Sequence, residues 1–135
     1  MMYPVEHTDD EWRRVLTADQ FRILRRAGTE PPFDNEYWDN HEAGVYHCGG
    51  CGAPLFDSAD KFDSGTGWPS FSKPLDAGSV EIRRDESFGM VRTEVACSRC
   101  GGHLGHLFDD GPPPTRTRYC MNSGSLTFED RDDSA

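Results

Sequence analysis

Two cysteine knuckles limit what this chain can fold into more than any other feature. Cys48-Gly49-Gly50-Cys51 and Cys97-Ser98-Arg99-Cys100 share one spacing, and each is followed by a glycine, Gly52 or Gly101. Two intervening residues let both thiolates of a knuckle reach one tetrahedral ion at about 2.3 Å. The glycine permits a tight turn whose N–H groups can point at sulfur. The competing readings are a redox CxxC and a pair of disulfides. A redox CxxC opens a helix in a βαβ setting, whereas glycines surround this one. Disulfides are uncommon in a cytosolic chain, where paired cysteines read as metal ligands. Cys48, Cys51, Cys97 and Cys100 are therefore expected to bind one zinc ion. Four thiolates close its coordination shell, so the ion is structural rather than catalytic, although iron would accept the same donors. The long separation of the knuckles predicts an inserted subdomain whose ends the metal ties together.

Length and charge narrow the class further. The chain has 135 residues, which suits a single domain over 1–135. With 14 Lys+Arg against 24 Asp+Glu the formal net charge is −10. A nucleic-acid partner is not expected, because no basic patch is available to displace counterions from phosphates. No apolar run is long enough to span a bilayer, so no membrane association is expected. The N-terminus lacks the basic and apolar stretches of a signal peptide, and a cytoplasmic location is expected. A monomer is expected too.

The first 30 residues are expected to be helical. Thr8-Asp9-Asp10-Glu11 and Thr17-Ala18-Asp19-Gln20 both have the form of a capping box. Trp12, Val15 and Leu16 follow the first at helical spacing; Phe21, Leu24 and Ala27 follow the second, with Gly28 as the stop. From Tyr37 onward the pattern changes to short alternating runs between Gly, Pro, Asp and Asn. Strands are expected at Val45-Tyr46-His47, Leu55-Phe56, Val80-Glu81-Ile82, Met90 to Ala96, Leu104 to Phe108 and Arg118 to Phe128. Within Met90 to Ala96, Val91, Thr93 and Val95 share one face and Arg92 and Glu94 the other. The chain is thus mainly β and antiparallel, with helices segregated at the front. Glu129 to Ala135 reads as a flexible acidic tail.

Cys120 is the fifth cysteine and the only one left over. A lone cysteine is most often a small buried hydrophobe. On a strand, however, Arg118, Cys120 and Asn122 share a face, which a core cysteine rarely does. A guanidinium beside a thiol favours the nucleophilic thiolate, and the amide can hold a polar substrate atom. His103-Leu104-Gly105-His106 adds two imidazoles able to move protons near neutral pH. In a regular strand they would face opposite ways unless Gly105 allows a twist. In Gly65-Thr66-Gly67-Trp68-Pro69-Ser70-Phe71, glycines and proline hold an indole in a loop, either as a pocket wall or as core packing.

Together these segments resemble methionine sulfoxide reductases of the B type. The matching motifs are the two knuckles, Gly67-Trp68-Pro69-Ser70-Phe71, His103-Leu104-Gly105-His106-Leu107-Phe108 and Arg118-Tyr119-Cys120-Met121-Asn122-Ser123; Tyr37-Trp38-Asp39-Asn40 and the segment from Gly89 to Val95 are also similar, and the likeness spans about Leu16 to Phe128. The resemblance implies two antiparallel sheets in a β-tent with short helices, and a zinc site away from the active site. It implies reduction of the R epimer of methionine sulfoxide, chiefly in proteins and peptides. Cys120 would attack the sulfoxide sulfur, with His103 as the acid and His106 and Asn122 assisting. Arg118 would hold the thiolate, and Trp68 and Phe108 would line the pocket for the terminal methyl. Many members carry a resolving cysteine where this chain has Thr66. Without it, thioredoxin or a small thiol is expected to reduce the Cys120 sulfenic acid directly. The alternative is a non-catalytic zinc module of the same architecture.

Overall fold

Both N-terminal helices follow from their caps. In the computed structural model, which describes residues 3–86 and 89–131, Thr8 accepts a hydrogen bond from the Glu11 N–H and Thr17 from the Gln20 N–H. The Glu11 and Gln20 side chains accept from the cap N–H groups in return. Helix α1 spans Asp9–Val15 and α2 spans Ala18–Arg26. The apolar stripe of α1 is narrower than expected, since Trp12 is buried whereas Val15 is 70% exposed. The left-handed residue ending α2 is Ala27 (φ 52°), not Gly28. Gly28 serves close approach instead, because a Cβ there would lie 2.8 Å from the Arg22 carbonyl oxygen.

Nine strands follow among the described residues: β1 Gly44–Cys48, β2 Pro54–Asp57, β3 Lys61–Phe62, β4 Ser70–Phe71, β5 Val80–Asp85, β6 Arg92–Cys97, β7 His103–Phe108, β8 Arg118–Met121 and β9 Leu126–Asp130. They form two antiparallel sheets, one in the order β2-β1-β9 and the other β3-β4-β8-β7-β6-β5. The region between the knuckles is not a separate insert. It supplies β2 to the small sheet and β3 to β6 to the large one, where β4 and β6 pair with β8 and β7 from outside that region. Tyr46, Leu55 and Leu126 from the small sheet meet Phe71, Val95, Leu104 and Met121 from the large one in a single core. Phe56 and Phe71 stack within it at 4.4 Å.

Three further expectations change. Val91 lies before β6 and is 63% exposed, so it does not share the buried face of Val95. The stretch from Arg118 to Phe128 is two strands in different sheets, separated by a helical turn at Ser123–Ser125. The buried Glu30 carboxylate accepts the N–H groups of Ser123 and Gly124 at the point where the chain passes from one sheet to the other. Strand β9 then continues through Glu129 and Asp130, paired with Val45 and Gly44, and the Arg131 side chain reaches Asp57. Residues 129–131 are therefore ordered by pairing and side-chain contacts rather than forming a tail, and the rest of that expected segment, 132–135, lies outside the described residues.

The histidine geometry depends on a bulge. Val95 pairs with Gly105 while Ala96 pairs with His103, so Leu104 is an extra residue in β7. One extra residue reverses the side-chain parity of a strand. His103 and His106 consequently share a face, with ring centroids 5.3 Å apart. Gly105 is required for another reason: a Cβ there would overlap the carbonyl oxygen of Cys120 on β8. Among the described residues, no helix is long and apolar enough to cross a membrane.

Candidate metal centre and thiol cavity

The knuckle sulfurs converge as their spacing predicts. The Sγ atoms of Cys48, Cys51, Cys97 and Cys100 all lie within 4.8 Å of one another. Cys48 and Cys100 are 3.7 Å apart, and Cys51 and Cys97 are 3.6 Å apart. A tetrahedron with metal–sulfur bonds of about 2.3 Å has edges of about 3.8 Å. A disulfide would need about 2.05 Å, and all five cysteines are free. The donor set thus fits a tetrahedral thiophilic ion. Each knuckle closes by a backbone turn, Gly52 N–H to Cys48 O and Gly101 N–H to Cys97 O, at glycines with φ of 81° and 73°. Trp12 packs on Gly50, and Arg25 lies over the Trp12 ring while donating to the Cys100 carbonyl. Cys48 ends β1 and Cys97 ends β6, so one ion would join the two sheets.

A separate cavity surrounds Cys120. It has a volume of about 100 Å³, and its walls include Trp68, His106, Phe108, Cys120 and Asn122, with Thr29, Arg92, Gly105 and Met121 completing them. Sites for drug-sized ligands are about 300–1,000 Å³. This cavity therefore suits the end of a side chain rather than an organic cofactor. Strand β8 holds Cys120 between Ser70 of β4 and His106 of β7, its antiparallel partners. Burial pushes the Cys120 thiol up, and the Arg118 charge and the Thr66 and Ser70 hydroxyls oppose that only in part. The guanidinium acts in the expected direction, but desolvation outweighs it.

The remaining residues divide into those in the cavity and those behind it. His106 is in the wall. Its Nε2 lies 2.9 Å from an Asp85 oxygen, and burial lowers its pKa below the ordinary 6.5 despite that carboxylate. His103 lies behind, 4% exposed, with Nδ1 2.6 Å from Glu94; its Nε2 has no hydrogen-bond partner among the described residues. Arg118 is also behind the cavity. It pairs with Asp110 through two bonds of 2.7 and 3.1 Å and lies over the Phe108 ring. Asn122 donates to the Leu104 carbonyl and accepts the Glu30 N–H through its Oδ1. The Trp68 indole donates to the Glu30 carbonyl at 3.0 Å. Gly67, with φ of 88°, packs against Phe33 where a Cβ would clash and fixes the indole's loop.

Sequence reasoning missed Glu30, Asp85, Glu94 and Asp110. The alternation in β6 placed Glu94 on a polar face but could not name His103 as its partner. Glu30 gave no signal, since the partners of its carboxylate are more than 90 residues away.

Comparison with known proteins places these features in a family. A family model described as the SelR domain matches residues 16–130. A protein of Thiobacillus denitrificans named peptide methionine sulfoxide reductase MsrB is 60% identical over 93% of this chain and 95% of its own length. Proteins of the same name from Hahella chejuensis and Methanosarcina barkeri are 54% and 53% identical, over 99% and 93% of this chain and 96% and 88% of their own.

If the four sulfurs form the metal centre, Cys97→Ser should lose the bound metal and at least about 3 kcal/mol of stability, because metal binding is coupled to folding. His106→Ala should keep the metal. Metal analysis beside urea unfolding checks both, and wild-type metal content in Cys97→Ser would contradict the assignment.

Proposed function

The chain belongs to the SelR domain family, and from that premise we propose that it reduces methionine-R-sulfoxide in peptides and proteins to methionine, with Cys120 as nucleophile. The observation that carries this reading is the placement of Cys120. It is the one cysteine outside the metal set, and it shares a small cavity with His106, Asn122 and two aromatic walls. A purely structural zinc module has no use for that arrangement. We take the metal to be zinc, which supplies a structural cross-link when bound.

The raised thiol and the depressed imidazole define the chemistry. Neutral His106 accepts the Cys120 proton as the thiolate forms, and then delivers it to the sulfoxide oxygen. The S–O bond breaks and the oxygen passes to the Cys120 sulfur. Methionine sulfur gains two electrons and Cys120 becomes a sulfenic acid. This exchanges the roles expected of the two histidines: His106 moves the proton, and the His103–Glu94 pair packs behind it. Asn122 is a donor for the sulfoxide oxygen, since Nδ2 carries a second hydrogen beyond the one given to Leu104. Trp68 and Phe108 receive the apolar methyl. Arg118 favours the charged sulfur from behind.

The sulfenic acid then needs an external thiol. Thr66 stands near Cys120, hydrogen-bonded to Ser64, where a second cysteine would have to be. A first thiol, from thioredoxin or a small molecule, forms a disulfide with Cys120 and releases water. A second thiol restores the free enzyme.

The proton path sets a pH dependence. His106 must be neutral to accept the thiol proton, so kcat/KM should fall on the acid side only as pH drops through its depressed pKa, below 6.5. Asp85 opposes that depression, and Asp85→Asn should move the acid limb lower still; an unmoved limb would exclude His106 as the titrating group. The activity itself is tested with both epimers of a methionine sulfoxide peptide and dithiothreitol. The R epimer alone should be reduced, and Cys120→Ser should lose about 10³-fold or more of kcat/KM. Reduction of the S epimer, or full activity in the variant, would refute the proposal.

A further inference from the structure

Glu30 is a buried charged residue with no part in the mechanism above. It precedes Pro31-Pro32, and a following proline holds a residue in extended backbone. Only 8% of it is exposed, and a carboxylate so placed is costly without partners. It has two, the N–H groups of Ser123 and Gly124, the latter at 2.8 Å. These open the turn directly after Asn122. Its backbone is engaged as well. The Glu30 N–H donates to Asn122 Oδ1 at 3.3 Å, and its carbonyl accepts the Trp68 indole N–H at 3.0 Å. Thr29, the residue before it, is part of the cavity wall, while Glu30 itself is not.

One residue outside the cavity is thus bonded to two different walls of it. Its backbone orients the amide and the indole, and its carboxylate locks that backbone to the chain leaving β8. Fixing Asn122 Oδ1 on an N–H also decides which way the amide lies, with Nδ2 toward the Leu104 carbonyl. We propose that Glu30 is a positioning residue that holds Trp68 and Asn122 in register around the substrate's methyl sulfoxide. The activity half of its test rests on the function proposed above; the spectroscopic half does not.

A merely structural Glu30 would change the amount of folded protein and affect all substrates alike. A positioning residue would alter discrimination at the methyl end. The test is Glu30→Gln, which keeps the volume but sets an NH2 against one of the two N–H groups. Two quantities are read: kcat/KM on N-acetyl methionine-R-sulfoxide against its S-ethyl analogue, and hydrogen exchange of the indole N–H of Trp68, assigned by NMR with Trp68→Phe. One methylene in an apolar pocket is worth about tenfold or more in kcat/KM, and that preference should fall by about threefold or more in the variant. The Trp68 indole proton should exchange about tenfold faster as the local structure loosens, with the Trp12 indole unchanged. An unaltered Trp68 exchange rate, or a wild-type methyl-to-ethyl ratio in folded variant, would overturn the proposal. If wild type reduces neither substrate, the function fails and indole exchange alone decides about Glu30. Should Glu30→Gln not fold, Glu30→Asp, which withdraws the carboxylate but keeps its charge, takes the same two readings.

Discussion

Four sulfurs at the junction of two sheets are the constraint on which the rest depends. Cys48 lies at the end of a strand in the small sheet and Cys97 at the end of one in the large sheet. The sheets share a core built from rather few large side chains, and a chain this short buries a limited fraction of its surface. A bound ion would fix the relation between the sheets where apolar packing alone is thin. Trp12 and Arg25 from the two helices close over the same point. The four clustered cysteines stand apart from Cys120, which lines a separate cavity and is the thiol proposed to do the chemistry.

That thiol is held in a state that needs help. Burial favours the protonated form of Cys120 and the neutral form of His106. Neither group is a strong reagent at rest. They are antiparallel partners across β7 and β8, and the proposed mechanism passes the thiol proton between them. In the proposed mechanism charge develops in the cavity as the polarised sulfoxide receives it, which is catalysis by differential stabilisation. Carboxylates behind each histidine, Asp85 and Glu94, fix the rings.

What the sequence revealed follows a physical divide. Knuckles and capping boxes are local: their donors and acceptors lie within a few residues, so spacing alone disclosed them. The longer strands were legible from alternation, but β3 and β4, at two residues each, are too short to show any. Strand parity through β7 was not legible, since the extra residue at Leu104 is defined by its partner strand. The break between β8 and β9 was equally hidden, because the carboxylate that accepts its N–H groups, Glu30, lies more than 90 residues earlier in the chain. The cavity gathers Trp68, His106, Phe108 and Asn122 around Cys120, and which histidine faces it depended on that bulge.

The central claim is a division of labour among five cysteines, and trapping the oxidised enzyme tests it most directly. The protein is given one equivalent of a methionine-R-sulfoxide peptide without reductant. A dione reagent specific for sulfenic acids is then mapped by mass spectrometry while metal content is measured. The account predicts a single label, on Cys120, with the metal fully retained. A label or disulfide at Cys48, Cys51, Cys97 or Cys100, accompanied by metal release, would contradict it.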